Sequence, residues 1–169
     1  MSKNKTLMEY LTEGDYSAFL RFAHSDAVLG ATDVDQENFY ISAPTDWALT
    51  LINSLAPSPE TERTIVKYQN EEVVHLLAVK WKLYPRTIRW AFEEGTDEDA
   101  EKVLAVIKEK TSDIEVSLVR RGSLELFKIW LKKFKTLDED AEKILNEDPN
   151  LSCLLSFYID WELTRSSRK

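Results

Sequence analysis

Few points in this chain can turn sharply. It holds four glycines and five prolines in 169 residues, and an all-β fold of that length needs many tight turns, supplied mainly by those two residue types. Long helical hairpins need fewer. The apolar residues agree, because they recur at three or four positions rather than at two. Leu124, Phe127, Leu131 and Phe134 form the strongest such stripe, and one helical face carries all four.

Start and stop signals divide the chain into roughly ten helices. Lys5 to Glu13 and Asp15 to His24 flank Gly14. Residues 25–44 carry no clear helical stripe and read as an irregular acidic loop. Thr45 can cap a helix running to about Leu55, and Ser58 followed by Pro59 has the N-cap and first-turn proline of another, reaching about Gln69. The apolar segment from Val73 to Trp81 ends near Tyr84, because Pro85 disfavours α geometry in its predecessor and itself suits a helix start. Gly95 stops the helix that follows, and Thr96 caps the next. Ser112 and Glu115 have capping-box spacing, Gly122 ends that helix, and Ser123 to Lys135 carries the strong stripe. Leu137 to Glu147 closes before Pro149. Leu151 to Leu163 is apolar nearly all round its first turns, as a buried terminal helix would be, and Cys153 within it reads as an inert buried thiol.

Apolar residues make up 43% of the chain, enough to fill a core, and the length suits a single all-α domain over residues 1–169. Met1 to Asp15 lacks the apolar run of a secretory signal, and Val73 to Val79 is far too short to span a bilayer. One cysteine rules out an internal disulfide framework. The expectation is a cytoplasmic protein away from the membrane. Net charge is −8, unevenly spread: no Lys or Arg lies between Phe22 and Glu62, a stretch holding Asp26, Asp33, Asp35, Glu37, Asp46, Glu60 and Glu62. Such a surface repels nucleic acid and anionic lipid and attracts a basic protein.

Internal matches are present. Asp97-Glu-Asp-Ala-Glu-Lys102 recurs 41 residues later as Asp138-Glu-Asp-Ala-Glu-Lys143. Gln69-Asn-Glu-Glu-Val-Val-His-Leu-Leu77 aligns with Gly122-Ser-Leu-Glu-Leu-Phe-Lys-Ile-Trp130, 53 residues on. These define repeat-like units over about 69–107 and 122–148, with an added helix around Pro85 to Glu93 in the first. Gly122-Ser-Leu-Glu-Leu-Phe-Lys-Ile-Trp-Leu131 resembles the second helix of an ankyrin repeat, with Ile114 to Arg121 as its first helix. The Thr-Pro-Leu-His opening of that family is absent. The resemblance implies stacked helical hairpins, degenerate ankyrin-like or HEAT-like, presenting a face to another protein. An irregular helical bundle is the alternative.

Candidate chemistry is sparse. Glu72 and His75 give one Glu-x-x-His, whereas a di-iron bundle needs two such motifs and two more glutamates. Asp33 to Asn38 begins like a calcium loop, but Asn38 stands where the turn glycine belongs and Pro44 where the bidentate glutamate belongs. There is no nucleophile elbow and no phosphate-cradling glycine loop. Glu98-x-x-Glu101 and Glu139-x-x-Glu142 resemble, in local spacing, the Mg²⁺-holding elements of MazG-type nucleotide pyrophosphohydrolases, although first-turn carboxylates also complement the helix dipole. Lys128, Lys132, Lys133 and Lys135 read as a solvated face rather than an RNA site.

The acidic stretch is the strongest candidate for function. Asp26, Asp33, Asp35, Glu37 and Asp46 supply charge, and Phe39 and Tyr40 supply aromatic anchors of the kind that dominate interfaces. A small acidic protein needing no cofactor is similar in character to the immunity proteins of bacterial nuclease toxins, including those of contact-dependent inhibition. That similarity implies a non-catalytic inhibitor that occludes a basic toxin's cleft. A helical-repeat adaptor and a pyrophosphohydrolase are the alternatives.

Overall fold

The structure is a computed structural model and describes residues 5–167. It is all-α: among the described residues there are twelve α-helices and no strand. They are α1 (Leu7–Glu13), α2 (Tyr16–Ala23), α3 (Asp33–Ser42), α4 (Thr45–Ser54), α5 (Pro59–Tyr68) and α6 (Glu71–Trp81), then α7 (Pro85–Glu93), α8 (Asp97–Val106), α9 (Ser112–Arg121), α10 (Leu124–Phe134), α11 (Glu139–Glu147) and α12 (Ser152–Ser167). Short 3-10 turns cover Asp26–Gly30 and Pro149–Leu151. The first helices of successive pairs begin at Leu7, Asp33, Pro59, Pro85, Ser112 and Glu139, intervals of 26 or 27 residues.

The chain forms two compact units, Met1–Thr87 and Ile88–Lys169, with the division inside α7. In the first, α1 packs on α3 and α3 on α5, while α2 packs on α4 and α4 on α6. In the second, α8 packs on α10 and α10 on α12, while α9 packs on α11. Next-but-one helices thus lie side by side in each unit, as they do when hairpins stack. The 53-residue match is a displacement of two hairpins, relating α5 and α6 to α9 and α10. The 41-residue match instead relates the second helix of one pair, α8, to the first of another, α11.

Local chemistry sets the helix ends. Thr6, Asp15, Thr32, Ser58, Asn70, Thr96 and Ser123 each accept, through the side chain, a backbone N–H of the first turn. Each such cap stabilises its helix by about 1 kcal/mol. The capping box forms at Thr96 and Asp99. It does not form at Ser112 and Glu115, because Ser112 already lies inside α9 and the Glu115 carboxylate turns into the core.

A second device holds the opposite ends. Side chains near the ends of later helices reach back 26 to 30 residues to carbonyls at the end of an earlier helix. Gln69 Nε2 donates to Tyr40 O at 2.6 Å, Trp81 Nε1 to Ile52 O at 2.7 Å, and Lys133 Nζ to Leu104 O at 2.6 Å. Arg121 donates to Phe92 O and Gly95 O, and Arg165 to Lys135 O. Helix C-termini left unsatisfied in a packed interior are costly, so these donors stabilise the stacking itself.

The first unit's core is aromatic. Phe19 stacks on Trp47 with centroids 4.7 Å apart and on Phe39 at 5.4 Å, and Tyr40 meets Phe39 edge-on. In the second unit Trp130 meets Phe92 edge-on at 6.0 Å and Phe134 at 4.6 Å. The terminal helix departs from its sequence reading: Leu154 is the buried residue of α12, Leu163 is 66% exposed, and Cys153 is exposed. Residues 25–44 also depart from it, being the 3-10 turn and α3 rather than a loop.

Candidate functional site

The acidic stretch becomes a helix because Thr32 caps it, accepting the Asp35 N–H at 3.1 Å, and because Gln36, Phe39 and Tyr40 fall on one side. That inner side fixes what faces outward. Gln36 is buried with its amide donating to Ala31 O, while Phe39 and Tyr40 are fully buried. Burial pushes the Tyr40 phenol well above its ordinary pKa, since the phenolate would lose its hydration there. Phe39 and Tyr40 are therefore core residues and not anchors for a partner. The calcium-loop geometry is likewise ruled out, since Asp33 to Ser42 is continuous helix.

Asp35 also serves the fold. Its Oδ2 accepts the Leu7 N–H at 2.8 Å and its Oδ1 the Met8 N–H at 3.3 Å, which satisfies the open start of α1. The remaining acids stay available. Asp26 is exposed on the 3-10 turn, Asp33 is exposed in the first turn of α3, and Glu37 is half-buried one turn further on. Asp46 is exposed in the first turn of α4, its carboxylate accepting the Trp47 N–H.

Alongside these acids lie aliphatic side chains that the sequence reading did not single out. Leu29 is 67% exposed, Val34 66% and Ile41 46%. Helical spacing puts Asp33, Val34, Glu37 and Ile41 on the solvent side of α3, opposite Phe39. The signal was present in sequence: once Thr32 is recognised as a cap, Val34 and Ile41 fall on the face away from Phe39 and Tyr40. The site is an acidic helix face with an apolar stripe.

Comparison with protein-family models, curated proteins and solved structures finds no match.

The glutamate pairs do not converge. Glu98 lies 3.7 Å from Lys102, Glu142 accepts the Tyr158 hydroxyl at 2.5 Å, and Glu101 and Glu139 are exposed. Among the described residues no group of three or more His, Cys, Asp or Glu side chains is placed to hold a metal ion. His24 and His75 are exposed. No described helix is long and apolar enough to cross a membrane.

Proposed function

We propose that this chain is a non-catalytic protein-binding module whose α3 face docks a basic protein, and that it acts as an inhibitor of the immunity type. One observation carries the reading: over the stretch from Phe22 to Glu62 that lacks Lys and Arg, Asp26, Asp33 and Asp46 are exposed and Glu37 is half-buried, beside the exposed Leu29, Val34 and Ile41. Charge steers a basic partner and the aliphatic stripe gives it apolar area to bury. A nuclease is the favoured partner class because its substrate cleft must be basic, and a carboxylate-lined face competes for it.

The test compares tagged wild-type protein with an Asp33→Lys, Glu37→Lys variant in capture from native cells, across a salt series. The reading requires one stoichiometric basic protein that salt releases, that the variant fails to retain, and whose nuclease activity falls on adding wild-type protein. Capture that is equal for both proteins and indifferent to salt would count against it. That result favours an adaptor, a reading motivated by the same exposed Leu29, Val34 and Ile41 and by the side-by-side packing of hairpins.

A further inference from the structure

Glu62 and Glu115 occupy the same place in two segments 53 residues apart. Both are the fourth residue of a first helix, α5 or α9, and both are fully buried. Each accepts the backbone N–H of the strap that leads into the next pair: Glu62 Oε1 from Tyr84 at 2.8 Å, Glu115 Oε1 from Asp138 at 2.5 Å. Each strap opens on a lysine at positive φ, Lys82 at 67° and Lys135 at 70°, also 53 residues apart. A non-glycine residue held there stores local strain.

The two carboxylates differ in compensation. Glu115 Oε2 accepts Lys110 Nζ at 2.8 Å and Trp130 Nε1 at 2.9 Å, so its charge is paired and its lone pairs are used. Among the described residues Glu62 has no ion-pair partner, and besides the Tyr84 N–H only the neutral, buried Thr87 hydroxyl bears on its carboxyl. The charged and titratable groups on its own helix and on the elements beside it are few. Arg86 at the start of α7 lies 3.8 Å from Glu60, and Arg63 follows Glu62 on α5. Helix α3 contributes the half-buried Glu37 and the buried Tyr40 phenol. Helix α6 contributes the exposed Glu71, Glu72, His75 and Lys80, and the strap the exposed Lys82. None is hydrogen-bonded to the Glu62 carboxylate.

We propose that Glu62 makes the 82–84 strap a proton-operated latch, closed when the carboxyl is neutral and opening to water when it ionises, whereas the Glu115 carboxylate that holds the 135–138 strap is paired with the Lys110 ammonium. A buried carboxylate without a counter-charge loses its hydration on ionising, and releasing the strap restores it. The side-chain bonds near the strap do not involve Glu62: Trp81 donates to Ile52 O, and the Tyr84 hydroxyl donates to Pro57 O at 3.4 Å. The direction follows from the proton affinities. Burial raises the Glu62 carboxyl from 4.5 to about 7, with the Thr87 hydroxyl and the Tyr84 N–H pulling the other way. The closed strap therefore binds the proton more tightly than the open one. Its closure is firmest below about pH 4.5, weakens as pH rises to about 7, and is flat above that.

The test is amide hydrogen exchange of the full chain followed by NMR, corrected for the intrinsic pH dependence of exchange. Between pH 5 and pH 7.5 protection of the Tyr84 N–H is expected to fall about tenfold or more, while that of Asp138 holds. In Glu62→Gln the Tyr84 protection is expected to lose its pH dependence. Flat Tyr84 protection in the wild type overturns the proposal, and so does a fall that persists in Glu62→Gln. Should that variant fold poorly, the wild-type contrast between Tyr84 and Asp138 decides alone: an equal fall at both overturns the latch.

Discussion

Removing Glu115 takes a shared acceptor from three donors at once. The Lys110 ammonium, the Trp130 indole and the Asp138 N–H all converge on its carboxylate. Leaving a buried donor without an acceptor costs about 1–3 kcal/mol, so the Trp130 indole and the Asp138 N–H together cost about 2–6 kcal/mol. Glu115→Ala is expected to lower the unfolding free energy by that amount in urea titration. Lys110→Met should cost less, since Lys110 itself is only partly buried. A cost below about 1 kcal/mol for Glu115→Ala would place the carboxylate at the surface, contrary to its burial. In sequence Glu115 looks like the second member of a capping box. That reading fails because a glutamate near a helix start can serve its own first turn or a distant strap, and the choice depends on Asp138, 23 residues away. Phe39 and Tyr40 teach the same lesson from the other side. Aromatic type alone does not separate an interface anchor from a core residue; the face of the helix does.

At the scale of elements, helix α3 was the hardest to recognise. Asp, Asn and Gln in its first turns have modest helix propensity, and apolar residues at 34, 39, 40 and 41 do not follow a single stripe. The irregularity has a cause: Val34 and Ile41 belong to the outward face and Phe39 and Tyr40 to the inward one. The element is held by its cap and by packing against α1 and α5. Asp35 ties it to α1, so Asp35→Ala is expected to cost about 1–2 kcal/mol and to speed amide exchange selectively at Leu7 and Met8. It should leave capture of a basic partner unchanged, unlike Asp33→Lys. Loss of binding in Asp35→Ala with exchange at Leu7 unaltered would reverse those assignments. The donors that reach back to carbonyls at helix ends were invisible in sequence for a different reason. Gln69, Trp81, Arg121, Lys133 and Arg165 share a geometric role but no chemical type beyond a long or planar N–H donor.

For the whole molecule, the class was legible because it rests on what the chain lacks: with four glycines and five prolines, long helices and few tight turns are the economical solution. The spacing of the pairs was less legible, since a displacement of 53 spans two hairpins and the 41-residue match relates helices from different layers. Net charge was legible as a number, but sequence alone could not separate a diffuse field from a directed one. The distinction is measurable. Asp33→Lys with Glu37→Lys moves the net charge from −8 to −4, and so does Glu101→Lys with Glu147→Lys, which alters two exposed acids elsewhere. If only the total field steers a basic partner, both variants lose association rate alike, and modest salt erases the difference from wild type. If the α3 face is the docking surface, the first variant loses about tenfold or more in affinity and dissociates faster, because Lys side chains oppose the partner's cations at close range; the second changes mainly the association rate. Stopped-flow association and dissociation at two ionic strengths separate these cases. Equal behaviour of the two variants would remove α3 from the interface while leaving an acidic inhibitor possible. A selective effect of the first would fix the docking face to one turn-and-a-half of helix.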